Sequence, residues 1–192
     1  DRFRQIEPRL LFAVDGYRYG GKDFDRLDTV RELVAQLPSV EAVVLVPYLD
    51  PQASLGDAIE VPARDGAPAR RVPVVRWADA LAQPAPFVPQ PVPFDHPLWI
   101  VYSSGTTGMP KPIVHGHGGT TLEYLKAMLI HSDLGEDDAF FWFTSTNWIM
   151  WNMTVSALIP GSTVLLYDGN PGYPDLGTLW RFAERERATF FG

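Results

Sequence analysis

The chain has 192 residues, 46% of them apolar and 20% charged, with a net charge of −7 and no cysteine. That size and apolar content suffice for one globular domain or two small subdomains, which excludes a disordered chain. The acidic balance argues against nucleic acid or an anionic membrane as partner, and the lack of cysteine excludes disulfides and thiolate metal sites.

No window approaches the roughly 20 consecutive apolar residues of a membrane span, and Asp1 to Leu10 lacks a signal-peptide layout, so a soluble, cytoplasmic protein is expected. The sequence starts without methionine and stops on Thr189-Phe190-Phe191-Gly192, which reads as a strand joining a sheet. The expectation is an internal fragment of a longer chain.

Leu10 to Val14 is a short apolar run ending at Asp15-Gly16, and Leu27, Val30, Val34 and Leu37 recur at helical spacing before Pro38. This predicts strand, loop, helix, with Asp25 as N-cap. Ala42 to Val46 is a second buried-type strand, completing a βαβ unit. Residues 50–71 mix Ala, Gly, Pro and charge without periodicity and read as an irregular insertion. Val72 to Leu81, with Trp77, follows as a short ordered stretch.

Prolines 84, 86, 89, 91, 93 and 97 mark residues 84–97 as an extended connector between segments 1–83 and 98–192. Beyond it Leu98 to Tyr102 is an apolar strand, and Ile113-Val114-His115 resumes extended structure, so the residues between link two strands. Thr120-Thr121-Leu122-Glu123 matches a capping box, with Leu122, Leu125 and Leu129 on one helical face. Phe140 to Phe143 predicts a strand, Trp148 to Ile159 an apolar helix and Thr163 to Tyr167 another strand. Asp175 is placed to cap a helix carrying Leu176, Leu179 and Ala183, and Thr189 to Phe191 closes as a strand. The alternation predicts an α/β fold with largely parallel sheets and flanking helices.

Between residues 102 and 111, Tyr102-Ser103-Ser104-Gly105-Thr106-Thr107-Gly108-Met109-Pro110-Lys111 gathers four small hydroxyls, two glycines and a lysine. Glycines let backbone N–H groups approach an anion, hydroxyls donate to phosphoryl oxygens, and lysine adds a compact positive charge. Together they describe a polyphosphate cradle. A Walker loop is a poor match, because there the lysine opens a helix. Here Lys111 lies between Pro110 and Pro112, and Pro112 biases it toward extended backbone.

This stretch resembles the phosphate loop of the adenylate-forming superfamily, which holds acyl-CoA synthetases, luciferases and adenylation domains of peptide synthetases. The resemblance implies that the chain is part of the large N-terminal domain of such an enzyme. It assigns ATP-phosphate binding to Ser103, Ser104, Gly105, Thr106, Thr107, Gly108 and Lys111, with Lys111, Thr106 and Thr107 catalytic. Asp15 to Lys22, His115 to Gly119 and Tyr167 to Pro171 further resemble the acetoacetate-activating branch.

In that branch acetoacetate, Mg2+-bound ATP and CoA give acetoacetyl-CoA, AMP and diphosphate through an acyl-adenylate. Asn147 to Asn152 stands where acetate-using relatives carry Gly-Trp-Val-Thr-Gly-His. The likeness therefore assigns Trp148, Ile149, Met150 and Trp151 to the acyl pocket, although such a helix also suits a plain core. Arg18 and Lys22 stand where those relatives hold CoA phosphates, and a solvated loop is the alternative. His115 and His117 fit packing or support of the cradle better than a metal pair, and no metal ligands are assigned. The ribose-binding acid and the C-terminal lid with its lysine are expected in the remainder of the parent chain, so this piece alone should lack ligase activity. A ligase for another short acid, a non-catalytic nucleotide-binding module and a carrier-loading adenylation domain remain the rivals.

Overall fold

The computed structural model describes residues 2–64, 66–82, 84–103 and 108–192, which form two compact units, Asp1–Pro89 and Gln90–Gly192. The first unit runs through α1 (Arg2–Ile6), β1 (Leu10–Val14), β2 (Gly16–Tyr19), β3 (Lys22–Asp25), α2 (Leu27–Gln36), β4 (Ala42–Val46), β5 (Ala58–Val61), β6 (Arg70–Arg76) and α3 (Trp77–Leu81). Its sheet has the order β1-β4-β6-β5, with β1 and β6 parallel to β4 and β5 antiparallel at the edge.

Period-2 alternation decides which face of this sheet is buried. Leu11, Val43, Leu45, Val72 and Ile59 point to one side, where Val30, Val34 and Leu37 of the α2 stripe complete the core. Each fully buried Val or Leu contributes about 1.5–3 kcal/mol by leaving water. Arg70 gathers carbonyls at and just beyond the end of α2, its guanidinium donating to Val34 O, to Leu37 O at 2.9 Å and to Val40 O at 2.8 Å. A cation there also opposes the negative end of the helix dipole.

Two expectations for this unit are corrected. Residues 16–25, expected as a loop, form the antiparallel β2–β3 hairpin, turned by Gly20 and Gly21 with φ 58° and 76°. Two consecutive positive φ values define the turn that matches strand twist, and glycine adopts them freely. The supposed irregular insertion at 50–71 contains β5 and the start of β6. β5 is a four-residue edge strand and only Arg70-Arg71 of β6 falls within that stretch, so no apolar alternation marks them, and in β6 only Val72 is fully buried. At α2, Arg26 occupies the cap position, while the Asp25 carboxylate accepts the Leu27 N–H at 2.8 Å.

In the second unit β7 (Pro97–Ser103) and β8 (Lys111–Gly116) form an antiparallel ribbon. Then come α4 (His117–Leu125), a π-helical turn (Lys126–His131), β9 (Ala139–Phe141), α5 (Ile149–Ser156), β10 (Thr163–Leu165), α6 (Thr178–Glu186) and β11 (Phe190–Phe191). The last three strands make a parallel sheet ordered β10-β9-β11. Its core holds Met128, Leu134, Phe140 and Ala157, with Phe190 stacked on Phe140 at 4.8 Å.

The capping box at Thr120 is also overturned, since α4 begins three residues earlier, at His117, with no side-chain cap. Of its expected apolar face, Leu122 and Leu129 point outward at 60% and 48% exposure and Leu125 is half-buried, while Thr120 and Met128 are buried and Tyr124 packs against the core. The π turn widens the helix after Leu125 and rotates later residues off the simple 3.6 spacing. In α6 the cap position is Gly177, whose N–H donates to the Asp175 carboxylate at 2.7 Å, and Leu176 is exposed rather than part of the buried face. The α/β class with parallel sheets and flanking helices is as the alternation predicts.

Candidate functional site

The phosphate-loop candidates sit at the open end of the β7–β8 ribbon. Ser103 ends β7 and pairs directly across from Lys111, the first residue of β8. Residues so paired share a face, which puts a hydroxyl and an ammonium together on the two strand ends flanking the loop. The proline-flanked lysine is therefore extended, not helical, and it is exposed. A Cβ on Gly108 would meet no protein atom within 4 Å, so open space adjoins the backbone there. Ser104, Gly105, Thr106 and Thr107 lie outside the described residues.

Strand β8 passes straight into α4, and α4 packs on α5. Trp148 caps α5 with extended backbone, φ −109° and ψ 152°, and Ile149, Met150 and Trp151 make its first turn. Trp148 and Ile149 are exposed, whereas Met150 and Trp151 are half-buried. Farther along, α5 buries Thr154 and Ser156, whose hydroxyls donate to Met150 O at 2.8 Å and Asn152 O at 2.7 Å. The acyl-pocket candidates thus share one segment, linked to the Lys111 strand through α4.

Arg18 and Lys22 are not brought together. The hairpin register pairs Arg18 with Asp23 and Tyr19 with Lys22, which puts the two cations on opposite faces. Arg18 makes a bidentate pair with Asp23, which holds the guanidinium pKa above its ordinary value. Lys22 makes no ion pair among the described residues and shares its face with Tyr17, Tyr19 and Phe24. Tyr17 and Phe24 stack at 5.3 Å beneath the Arg26 guanidinium.

His115 projects from β8 on the Lys111 face, while His117 opens α4 with Nδ1 2.8 Å from His96 O. No group of three or more potential metal-ligating residues occurs among the described residues. None of the described helices is long and apolar enough to cross a membrane.

Sequence reasoning missed two features that hold this geometry. The Asp15 carboxylate, at 3% exposure, accepts the N–H groups of Tyr48, Leu49 and Asp50, the last two at 2.9 and 2.7 Å, bracing the β4 exit against the hairpin base. The second is the run Phe94-Asp95-His96, which lies across the start of α4. Its only sequence signal is the pair Gly116 and Gly118.

The family profile described as AMP-binding enzyme matches residues 1–192. The chain belongs to the AMP-binding enzyme family. It is 38% identical over 197 residues to an acetoacetyl-CoA synthetase of Gallus gallus, covering 100% of this chain and 28% of that protein. It is 42% identical over 194 residues to an acetoacetyl-coenzyme A synthetase of Rhizobium meliloti (strain 1021), with the same coverages. Among solved structures, the acetoacetyl-CoA synthetase from Streptomyces lividans matches with a TM-score of 0.85 and 50% identity, over 100% of this chain and 27% of that one. This AMP-binding segment therefore spans little more than a quarter of the length of the relatives it matches.

Proposed function

We propose that this chain is the phosphate-loop-bearing part of an ATP-dependent acid:CoA ligase acting in the cytoplasm on acetoacetate. The observation that carries this reading is the ribbon end, where Lys111 opens β8 across from Ser103 with the hydroxyl-rich loop between them. Full-length similarity of the chain to proteins named acetoacetyl-CoA synthetase supports the choice of acid.

In the proposed first half-reaction, an oxygen of the acid's carboxylate attacks the α-phosphorus of ATP and diphosphate leaves. Negative charge builds on the phosphoryl oxygens, and catalysis of such transfer is mostly positioning and electrostatic stabilisation. Lys111, with the hydroxyls of Ser103, Ser104, Thr106 and Thr107 and the backbone at Gly105 and Gly108, holds the β- and γ-phosphates. Mg2+, as part of the MgATP substrate, would neutralise part of the phosphate charge that Lys111 and the loop hydroxyls hold. In the second half, the CoA sulfur attacks the acyl carbon and AMP departs. Lys22 is better placed than Arg18 for a CoA phosphate, because Asp23 already neutralises Arg18. Trp148, Ile149, Met150 and Trp151 shape the acid pocket, and the lid comes from the rest of the parent chain.

The test is acid-dependent ATP–diphosphate exchange by the full-length protein with acetoacetate, acetate and propionate in parallel. Acetoacetate is expected to be preferred, and Lys111→Ala to lower the rate about 10²–10³-fold, as for loss of one transition-state donor. Nucleotide binding without exchange for any acid would instead favour a non-catalytic module.

A further inference from the structure

The end of the proline-rich stretch is built into the second unit. Phe94 O accepts the Gly118 N–H at 2.8 Å, and His96 O accepts both the His117 N–H at 2.9 Å and His117 Nδ1–H at 2.8 Å. These carbonyls satisfy two of the four N–H groups left unpaired at a helix start, so α4 needs no side-chain cap. The segment is itself folded, with His96 N–H on Pro93 O at 3.1 Å and its ring Nδ1 3.0 Å from Pro97 O.

The approach is close enough to dictate side chains. A Cβ on Gly116 would lie 3.1 Å from Asp95 O, and one on Gly118 would lie 2.0 Å from Cδ2 of the Phe94 ring. Phe94 is 64% exposed, so this ring fills no core cavity and lies over the glycine. What it covers is the junction where β8 becomes α4 without an intervening loop. Farther along the helix, Trp99 of β7 packs edge-on against Tyr124 of α4 at 5.8 Å. The ribbon is thus clamped between a strap at its base and a helix along one side. Lys111 stands five residues up the same strand, so a tilt of the junction moves its ammonium.

We propose that Phe94, Gly116 and Gly118 are positioning residues for the phosphate loop, a strap and its glycine seat that set the angle at which the β7–β8 ribbon presents Lys111 and Ser103 to the triphosphate. This rests on the ligase reading above for the identity of the ligand and goes beyond it in assigning these three residues. None of them touches the nucleotide. They act through the strand.

The experiment uses the full-length protein with Gly118→Ala, Phe94→Ala and the double substitution. It measures thermal midpoint, the MgATP dissociation constant and KM for ATP and for the acid in diphosphate exchange. Gly118→Ala is expected to raise the MgATP dissociation constant and KM for ATP about tenfold, since misplacement by an ångström is costly. KM for the acid stays unchanged. Adding Phe94→Ala frees the space for the new methyl while the Phe94 and His96 carbonyls still hold α4, so the double substitution returns both values to those of Phe94→Ala alone. If Gly118→Ala lowers only the midpoint while KM for ATP holds, or if Phe94→Ala gives no relief, the strap is structural and the proposal fails. An unsubstituted protein that binds MgATP yet exchanges with no acid overturns the ligase reading and leaves the strap to be judged by the dissociation constant. One that does not bind MgATP overturns both.

Discussion

Burial is the largest single influence on the Asp15 carboxyl and acts to raise its pKa, but the N–H groups of Leu49, Asp50 and Tyr48 outweigh it and the net shift is downward. A carboxyl whose pKa is lower folded than unfolded adds stability above the unfolded value, and that stability is lost as pH falls through the folded one. Asp15→Asn should therefore cost about 1–3 kcal/mol at pH 7, the typical penalty for leaving buried donors poorly matched. The gap between the two proteins should narrow below about pH 4, where the unfolded carboxyl protonates. Urea melts across that range check it, and a pH-independent gap would refute the argument. Thr120 presents the opposite case, a buried hydroxyl without a hydrogen-bond partner among the described residues. Thr120→Val replaces it with a methyl of similar shape, so stability should hold or rise by up to about 1 kcal/mol. A loss above that in thermal melts would mean that the hydroxyl is satisfied after all. The sequence made neither residue conspicuous, because nothing local reveals which distant backbone faces a side chain. Asp15 is visible only as the start of an Asp-Gly turn, and Thr120 imitates a cap.

Among the elements, those with strong apolar periodicity were legible. The stripe Leu27, Val30, Val34, Leu37 meets the strands it was expected to cover, and β1 and β4 pair in parallel over five residues. What escaped were elements whose cause is not periodic. The β2–β3 hairpin depends on Gly20-Gly21, a turn pair present in the sequence but lost inside a glycine-rich stretch. The early start of α4 depends on carbonyls supplied by Phe94 and His96, some twenty residues back. Helix α6 ends on a third kind of signal. Arg187 adopts left-handed backbone, φ 53° and ψ 48°, and the helix closes with the Ala188 N–H on Ala183 O. Glycine is the usual residue there, because a side chain in that conformation is strained. Arg187→Gly should thus stabilise the chain by about 0.5–1 kcal/mol, after allowing for the extra freedom glycine gives the unfolded state. Differential scanning calorimetry would register this as a higher midpoint, and a lower one would mean that the arginine side chain contributes more than its backbone costs.

At the scale of the molecule, the chain is two units with separate cores, the phosphate-loop and acyl-pocket candidates lying in the second and the hairpin cations Arg18 and Lys22 in the first. The extended backbone beside the loop was legible, because the prolines flanking Lys111 announced it. The placement of Arg18 and Lys22 was not, since strand register alone decides that they face apart. With 28% of its relatives' length, this chain on its own should form no acyl-adenylate from acetoacetate and ATP. Chromatographic detection of AMP above a buffer control would contradict that. Strand β1 has a further consequence. Leu10, Phe12 and Val14 alternate outward at 47%, 58% and 39% exposure, beside a surface-lying Trp77. In dilute buffer the net charge of −7 keeps copies of the chain apart. Sulfate both screens that repulsion and strengthens apolar adhesion, so the isolated chain should salt out early and cling to phenyl resin.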